Sequence, residues 1–278
     1  MSIGTFSAQD YQYPLDMIPS ASFAYSIRQL SKSFSSSIMT IRRTSDGTST
    51  NLSFDSNGKI SNSSPVSAGG TLGTWMSGTN VFISSWTDQS SHGNTITQAT
   101  TTAQPQLASA GALLTPGPAF TLTQGEIFIT ALTQGSLTPP FTTFHVGQYT
   151  STTAANYTIC DSWVSPRYTV RFAGASGTPP WAGELGTIMT TNALSVNTLY
   201  LLSGYNDSTS ASIYVNGVAN NTLSGTNTLG FTGIVLGRVA GGNGGMIGNI
   251  TEVIVYNSDL TTSQFQAMNS NINNFYGI

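Results

Sequence analysis

From Ile38 to Tyr256 the apolar residues come in short runs separated by turn residues, and no run reaches the length and period of a helix. Residues 38–42, 52–54, 81–86, 127–132, 141–146, 157–160, 168–172, 199–205, 212–218, 234–236 and 250–256 read as strands. In 168–172, Tyr168, Val170 and Phe172 share one face, with Thr169 and Arg171 opposite. Asn216-Gly217 closes a β run and predicts a type I′ hairpin turn. With no βαβ alternation, such strands bury their apolar faces only by stacking sheets, which predicts an all-β sandwich.

Helical spacing is confined to the two ends. Phe23, Ile27, Leu30 and Phe34 predict a short N-terminal helix, capped by Ser20 or Ser22 after Pro19. Thr261 and Gln264 form a potential capping box, and Phe265, Met268, Ile272 and Phe275 predict a C-terminal helix ending near Gly277. Residues 1–20, with Pro14 and Pro19, read as an extended arm; residues 21–278 read as one domain with no internal linker or repeat. The N-terminus lacks a basic segment followed by an apolar one, so no signal peptide is expected. The sequons at Asn51, Asn156, Asn206 and Asn249 are read as chance in a Ser/Thr-rich chain.

Charge narrows the function. Only 7% of the 278 residues are charged, against about 25% in an ordinary soluble domain. Eight Lys or Arg cannot build a phosphate-binding face, so no nucleic-acid partner is expected. No apolar run approaches the length of a membrane span, and no membrane partner is expected. One cysteine, Cys160, excludes an internal disulfide framework, a Cys-rich zinc module and an iron–sulfur site. A surface of hydroxyls and amides costs little to desolvate, which suits permanent packing against neighbours or binding of neutral sugars.

Two stretches carry a family resemblance. Ala24-Tyr-Ser-Ile-Arg-Gln-Leu, Ile41-Arg-Arg-Thr-Ser-Asp-Gly, Asn51-Leu-Ser-Phe-Asp and Trp86-Thr-Asp-Gln-Ser-Ser-His-Gly-Asn resemble the opening of α-L-arabinofuranosidase B catalytic domains. Ile213-Tyr-Val-Asn-Gly, Ile234-Val-Leu-Gly-Arg, Gly248-Asn-Ile-Thr-Glu-Val-Ile-Val-Tyr-Asn and Leu260-Thr-Thr-Ser-Gln-Phe resemble the closing strands and terminal helix of laminin-G-like domains. The resemblance implies a concanavalin-A-like jelly roll of two antiparallel sheets, with the short N-terminal and C-terminal helices added. Domains of this kind are also similar to structural proteins of tailed phages and other large DNA viruses.

Catalysis is then weighed against the family's pattern. The resemblance implies a nucleophilic Glu on a middle strand, an acid Asp in a late Gly/Asn-rich loop and a vicinal Cys pair. Here residues 168–174 and 237–245 hold no carboxylate, and Cys160 is followed by Asp161. Glu184 with Asp161 is the fallback pair, since glycoside hydrolysis needs two carboxyl groups. Of the other two glutamates, Glu126 begins a strand and Glu252 reads as structural. His92 and His145 have no nucleophile elbow to serve, and the 241–245 glycine run lacks the Lys-Ser/Thr of a phosphate loop.

Trp163, Arg167, Trp181 and Glu184 are the sugar-binding candidates, because they combine loop aromatics with planar polar partners. Asp88, Gln89 and Asn94 read as a polar turn tied to backbone. No metal site and no cofactor are expected. Calcium could sit at Asp46, Asp55, Asp88 or Asp207, but without Asp-x-Asp spacing these read as turn-capping residues. Together these observations lead to the expectation of a non-enzymatic virion protein, a capsid or tail decoration or fibre component. It would be a homo-oligomer partnered with other virion proteins, with neutral host glycans as candidate ligands. The alternatives are a stand-alone carbohydrate-binding module and an arabinofuranosidase-like glycoside hydrolase.

Overall fold

A computed structural model of the 278-residue chain describes residues 13–121, 127–129, 131–151, 158–162, 169–171, 181–182, 194–207, 209–224, 230–238 and 245–278. These form the expected sandwich of two antiparallel sheets. The front sheet runs in the order Phe23–Ser26, Gly248–Tyr256, Phe141–Tyr149, Tyr200–Asn206, Ser210–Val215 and Val218–Ser224. The back sheet runs Ser49–Leu52, Met39–Arg43, Val81–Trp86, Ile96–Thr97, Ile127–Ile129, Ile234–Leu236, Thr158–Asp161, Thr169–Arg171 and Trp181–Ala182. The short strands Gln106–Ser109 and Ala119–Phe120 bridge one edge, pairing with Val81–Trp86 and Gly248–Tyr256 respectively.

The closing strand Gly248–Tyr256 is buried throughout because both of its faces are covered. Val253 and Val255 point into the core between the sheets, while Ile254 and Tyr256 point outward beneath the C-terminal helix Thr262–Tyr276. That helix lays Phe265, Met268 and Ile272 on Phe144, Val146 and Leu201. Its capping box joins Thr261 and Gln264, and Gly277 ends it in the left-handed conformation at φ 71°. Asn216 and Gly217 take φ of 50° and 79°, the pair of positive values that a type I′ turn requires.

The N-terminal expectations need correction. Residues 23–34 do not form a helix. Phe23 and Tyr25 enter the inter-sheet core while Ala24 faces the C-terminal helix, a two-residue alternation set by pairing with Val255, Ile254 and Val253. The short N-terminal helix is Pro14–Met17 instead. Residues 13–20, assigned from sequence to an extended arm, fold onto their own sandwich. Leu15 and Ile18 are buried with the C-terminal helix, the Leu15 amide donates to the Leu30 carbonyl, and the Tyr256 hydroxyl donates to the Ile18 carbonyl.

Candidate functional site

The turn after Val81–Trp86 is the most densely bonded polar feature among the described residues. Asp88, 3% exposed, accepts from the amides of Ala24, Ser90 and Asn94 at 2.8–2.9 Å and from the Ser90 hydroxyl at 2.7 Å. Gln89 accepts from the Leu30 amide at 2.8 Å and donates to the carbonyls of Ser26 and Arg28. Asn94 donates to the Ser22 carbonyl and accepts from the Thr133 amide. Three side chains thus hold residues 22–30, the edge strand of the front sheet and the bend that follows it. All three are buried and face backbone, so they act by supporting the fold. Asp88→Ala leaves the Ala24 and Asn94 amides buried without acceptors, and urea unfolding is expected to show a loss of about 3 kcal/mol. A loss under 0.5 kcal/mol would contradict this role.

The proposed calcium positions are occupied by turn hydrogen bonds of the same kind. Asp46 caps Thr48 and pairs with Arg43 at 2.6 Å; Asp55 accepts from the Asn57 and Lys59 amides; Asp207 accepts from the Thr209 and Ser210 amides. The Arg43 guanidinium, then the Thr48 contacts, hold the Asp46 carboxyl well below the usual range. Among the described residues no group of three or more His, Cys, Asp or Glu is placed to hold a metal ion.

Of the sequence-predicted catalytic and sugar-binding residues, Asp161 and Trp181 are the two whose backbone is described, and both lie toward one edge of the back sheet. Asp161 ends Thr158–Asp161, in register with Thr169 on one side and Val235 on the other. Trp181 pairs with Arg171 on the next strand outward. Trp163, Arg167 and Glu184 lie outside the described residues, as do Glu126 and the side chains of Asp161 and Trp181. Trp181–Ala182 therefore runs two strands, about 9–10 Å, from Thr158–Asp161. Cys160, one position before Asp161, is in no disulfide and is buried in the inter-sheet core.

The two histidines take no part in this edge. His92 sits in an exposed turn. His145 is fully buried between the sheets, opposite Leu202 and Val253 on its neighbouring strands, and out of reach of any substrate. Tyr205, Tyr214 and Asp259, none of them a candidate from sequence, line a cleft beside the C-terminal helix. No local motif marks them; strand pairing and the helix bring them together.

Residues 14–119 match the family model for the catalytic domain of alpha-L-arabinofuranosidase B, and residues 135–266 match the concanavalin A-like lectin/glucanases superfamily model. No curated protein matches the sequence. Among solved structures, the chain is similar to an arabinofuranosidase complexed with arabinofuranosyl-alpha-1,2-xylobiose, with 17% identity and a TM-score of 0.61. That likeness covers 93% of this chain and 64% of the other. A GH54 α-L-arabinofuranosidase soaked with a cyclic sulfate inhibitor gives 16% identity and a TM-score of 0.64, over 94% of this chain and 64% of that one. At such identities the likeness establishes the concanavalin-A-like fold, and this chain spans less than two-thirds of either structure.

These findings overturn the expectation of a non-enzymatic virion component. The matching N-terminal model is that of a catalytic domain, and the two similar structures described are arabinofuranosidases. The virion partners and virion location fall with it. No helix among the described residues is long and apolar enough to cross a membrane.

Proposed function

We propose that the chain is a glycoside hydrolase domain acting on α-L-arabinofuranosides. The observation that carries this reading is the match of residues 14–119 to an arabinofuranosidase catalytic-domain model. The similarity of the sandwich to two arabinofuranosidases supports the fold required, but fold alone does not supply chemistry. The chemistry must come from carboxyl groups, one attacking or activating water and one protonating the leaving oxygen.

The two positions where the family resemblance implies carboxylates, in residues 168–174 and 237–245, hold none. In this reading the work passes to Asp161 and Glu184. Asp161 ends one strand, and Glu184 follows Trp181–Ala182 by two residues. The pair is chosen because glycoside hydrolysis needs two carboxyl groups about 5–9.5 Å apart, the span over which the two hydrolytic mechanisms operate. Trp163, Trp181 and Arg167 are the proposed sugar-contacting residues, as loop aromatics with a planar polar partner.

Release of nitrophenol from 4-nitrophenyl α-L-arabinofuranoside tests both parts. The parent chain is expected to hydrolyse it, with kcat reduced about 100-fold or more in Glu184→Gln and in Asp161→Asn. A folded parent with no activity on any arabinofuranoside would remove the hydrolase reading. An active parent with both variants unimpaired would remove the assignment of the pair alone.

A further inference from the structure

We propose that the cleft between the C-terminal helix and the hairpin of strands Ser210–Val215 and Val218–Ser224 is a second ligand site, taking a neutral saccharide. The cleft has a volume of about 550 Å³, within the range of small-ligand sites. It opens on the outer, helix-bearing face of the front sheet, whereas Asp161 and Trp181 belong to the back sheet. The proposal therefore does not rest on the hydrolytic reading.

The lining selects the ligand class. Tyr205, Tyr214 and Phe265 form an aromatic floor, with Tyr205 4.3 Å and Tyr214 4.8 Å from Phe265 between ring centroids. Val218, 69% exposed, adds an apolar lip. Above this floor stand polar groups with no protein partner among the described residues. The hydroxyls of Tyr205 and Tyr214 make no hydrogen bond there, and neither do Gln266 and Ser270 on the helix. Asn273 ties the helix to the hairpin turn, its Nδ2 donating to the Asn216 carbonyl at 3.0 Å.

A ligand must therefore donate to the Asp259 carboxylate, exchange hydrogen bonds with two phenols, and rest C–H groups on rings and Val218. Sugar hydroxyls both donate and accept, and a pyranose or furanose carries the apolar face. An anion finds no Lys or Arg in the lining. A cation finds one free carboxylate, since Asp207 is engaged by the amides and hydroxyls of Thr209 and Ser210.

Calorimetric titration of the full chain with xylohexaose and with arabinofuranosyl-α-1,2-xylobiose tests this, with choline and calcium chloride as cationic controls. Saturable binding of at least one sugar is expected. Ser270→Trp, at an exposed helix position, fills the cleft and is expected to weaken that binding at least tenfold with an unchanged thermal midpoint. Tyr214→Phe, which removes only a hydroxyl, is expected to weaken it about threefold or more. Absence of sugar binding at millimolar ligand, sugar binding untouched by both variants, or preferential binding of either cation would each overturn the proposal. Nitrophenol release from the same preparation reports separately on the Asp161 edge.

Discussion

Glu252→Gln is expected to lower the thermal midpoint by about 10 °C. Glu252 and Arg28 are both fully buried, and they meet in a two-pronged pair: Nε to Oε2 at 2.7 Å and Nη2 to Oε1 at 2.8 Å. Further polar partners surround the pair. Ser26 Oγ and the Tyr276 hydroxyl donate to Oε2, and Arg28 Nη1 donates to Asn271 Oδ1. The Phe275 ring lies 4.4 Å from the guanidinium carbon. The cluster thus joins the first strand, the closing strand and the last turns of the helix. Removing one charge leaves the other buried without compensation, which costs about 3–5 kcal/mol. In a domain of this size each kcal/mol moves the midpoint by about 2–4 °C.

The same argument makes a second demand. Desolvating both ions offsets most of what their attraction contributes, so Arg28→Met/Glu252→Leu should be more stable than either single variant. Differential scanning calorimetry of the four proteins measures this directly. A double variant no better than the worse single one would show that the cluster acts through packing rather than charge.

How far the fold could be read from sequence depended on the range of the forces involved. Val81–Trp86 and Ile234–Leu236 were legible to the residue, because alternation and bounding turns are local. So were the Asn216-Gly217 turn and the Thr261/Gln264 box, each decided by backbone chemistry over four residues or fewer. Residues 23–34 failed for the opposite reason. Their apolar spacing fits a helix, but the partner that makes Phe23–Ser26 a strand lies more than 220 residues away. The role of Arg28 was hidden with it, although Glu252 reads as structural from its place in the closing strand. At the candidate sites, Asp88 and its neighbours were legible because a polar turn binds its own backbone. The cleft was not, since Tyr205, Tyr214 and Asp259 become neighbours only when the hairpin pairs and the helix docks.

His145 leads to the second large effect, a loss of stability in mild acid. The ring sits in the inter-sheet core, and neither nitrogen completes a hydrogen bond among the described residues. Burial lowers its pKa from 6.5 to about 3, weakly opposed by a backbone group of Leu202. The unfolded chain therefore takes up a proton below pH 6.5, which the folded chain refuses until about pH 3. Stability from this group is complete above pH 6.5 and falls by about 1.4 kcal/mol per pH unit beneath it, a loss of about 3 kcal/mol by pH 4.5.

Other groups are separable. The depressed carboxyls of Asp46, Asp55 and Asp207 have an ordinary pKa of 3.8, so their stabilisation is lost mainly below pH 4. Asp259, raised by partial burial and by Asp207, acts in the opposite direction, since acid relieves its unfavourable charge. Between pH 6 and 4.5 the slope thus belongs chiefly to His145. Urea unfolding across that interval should show it, and His145→Leu should flatten it, because an aliphatic side chain in the same core has no proton to gain. A slope preserved in His145→Leu would move the cause to another group and show that the buried imidazole reaches water more readily than its packing implies.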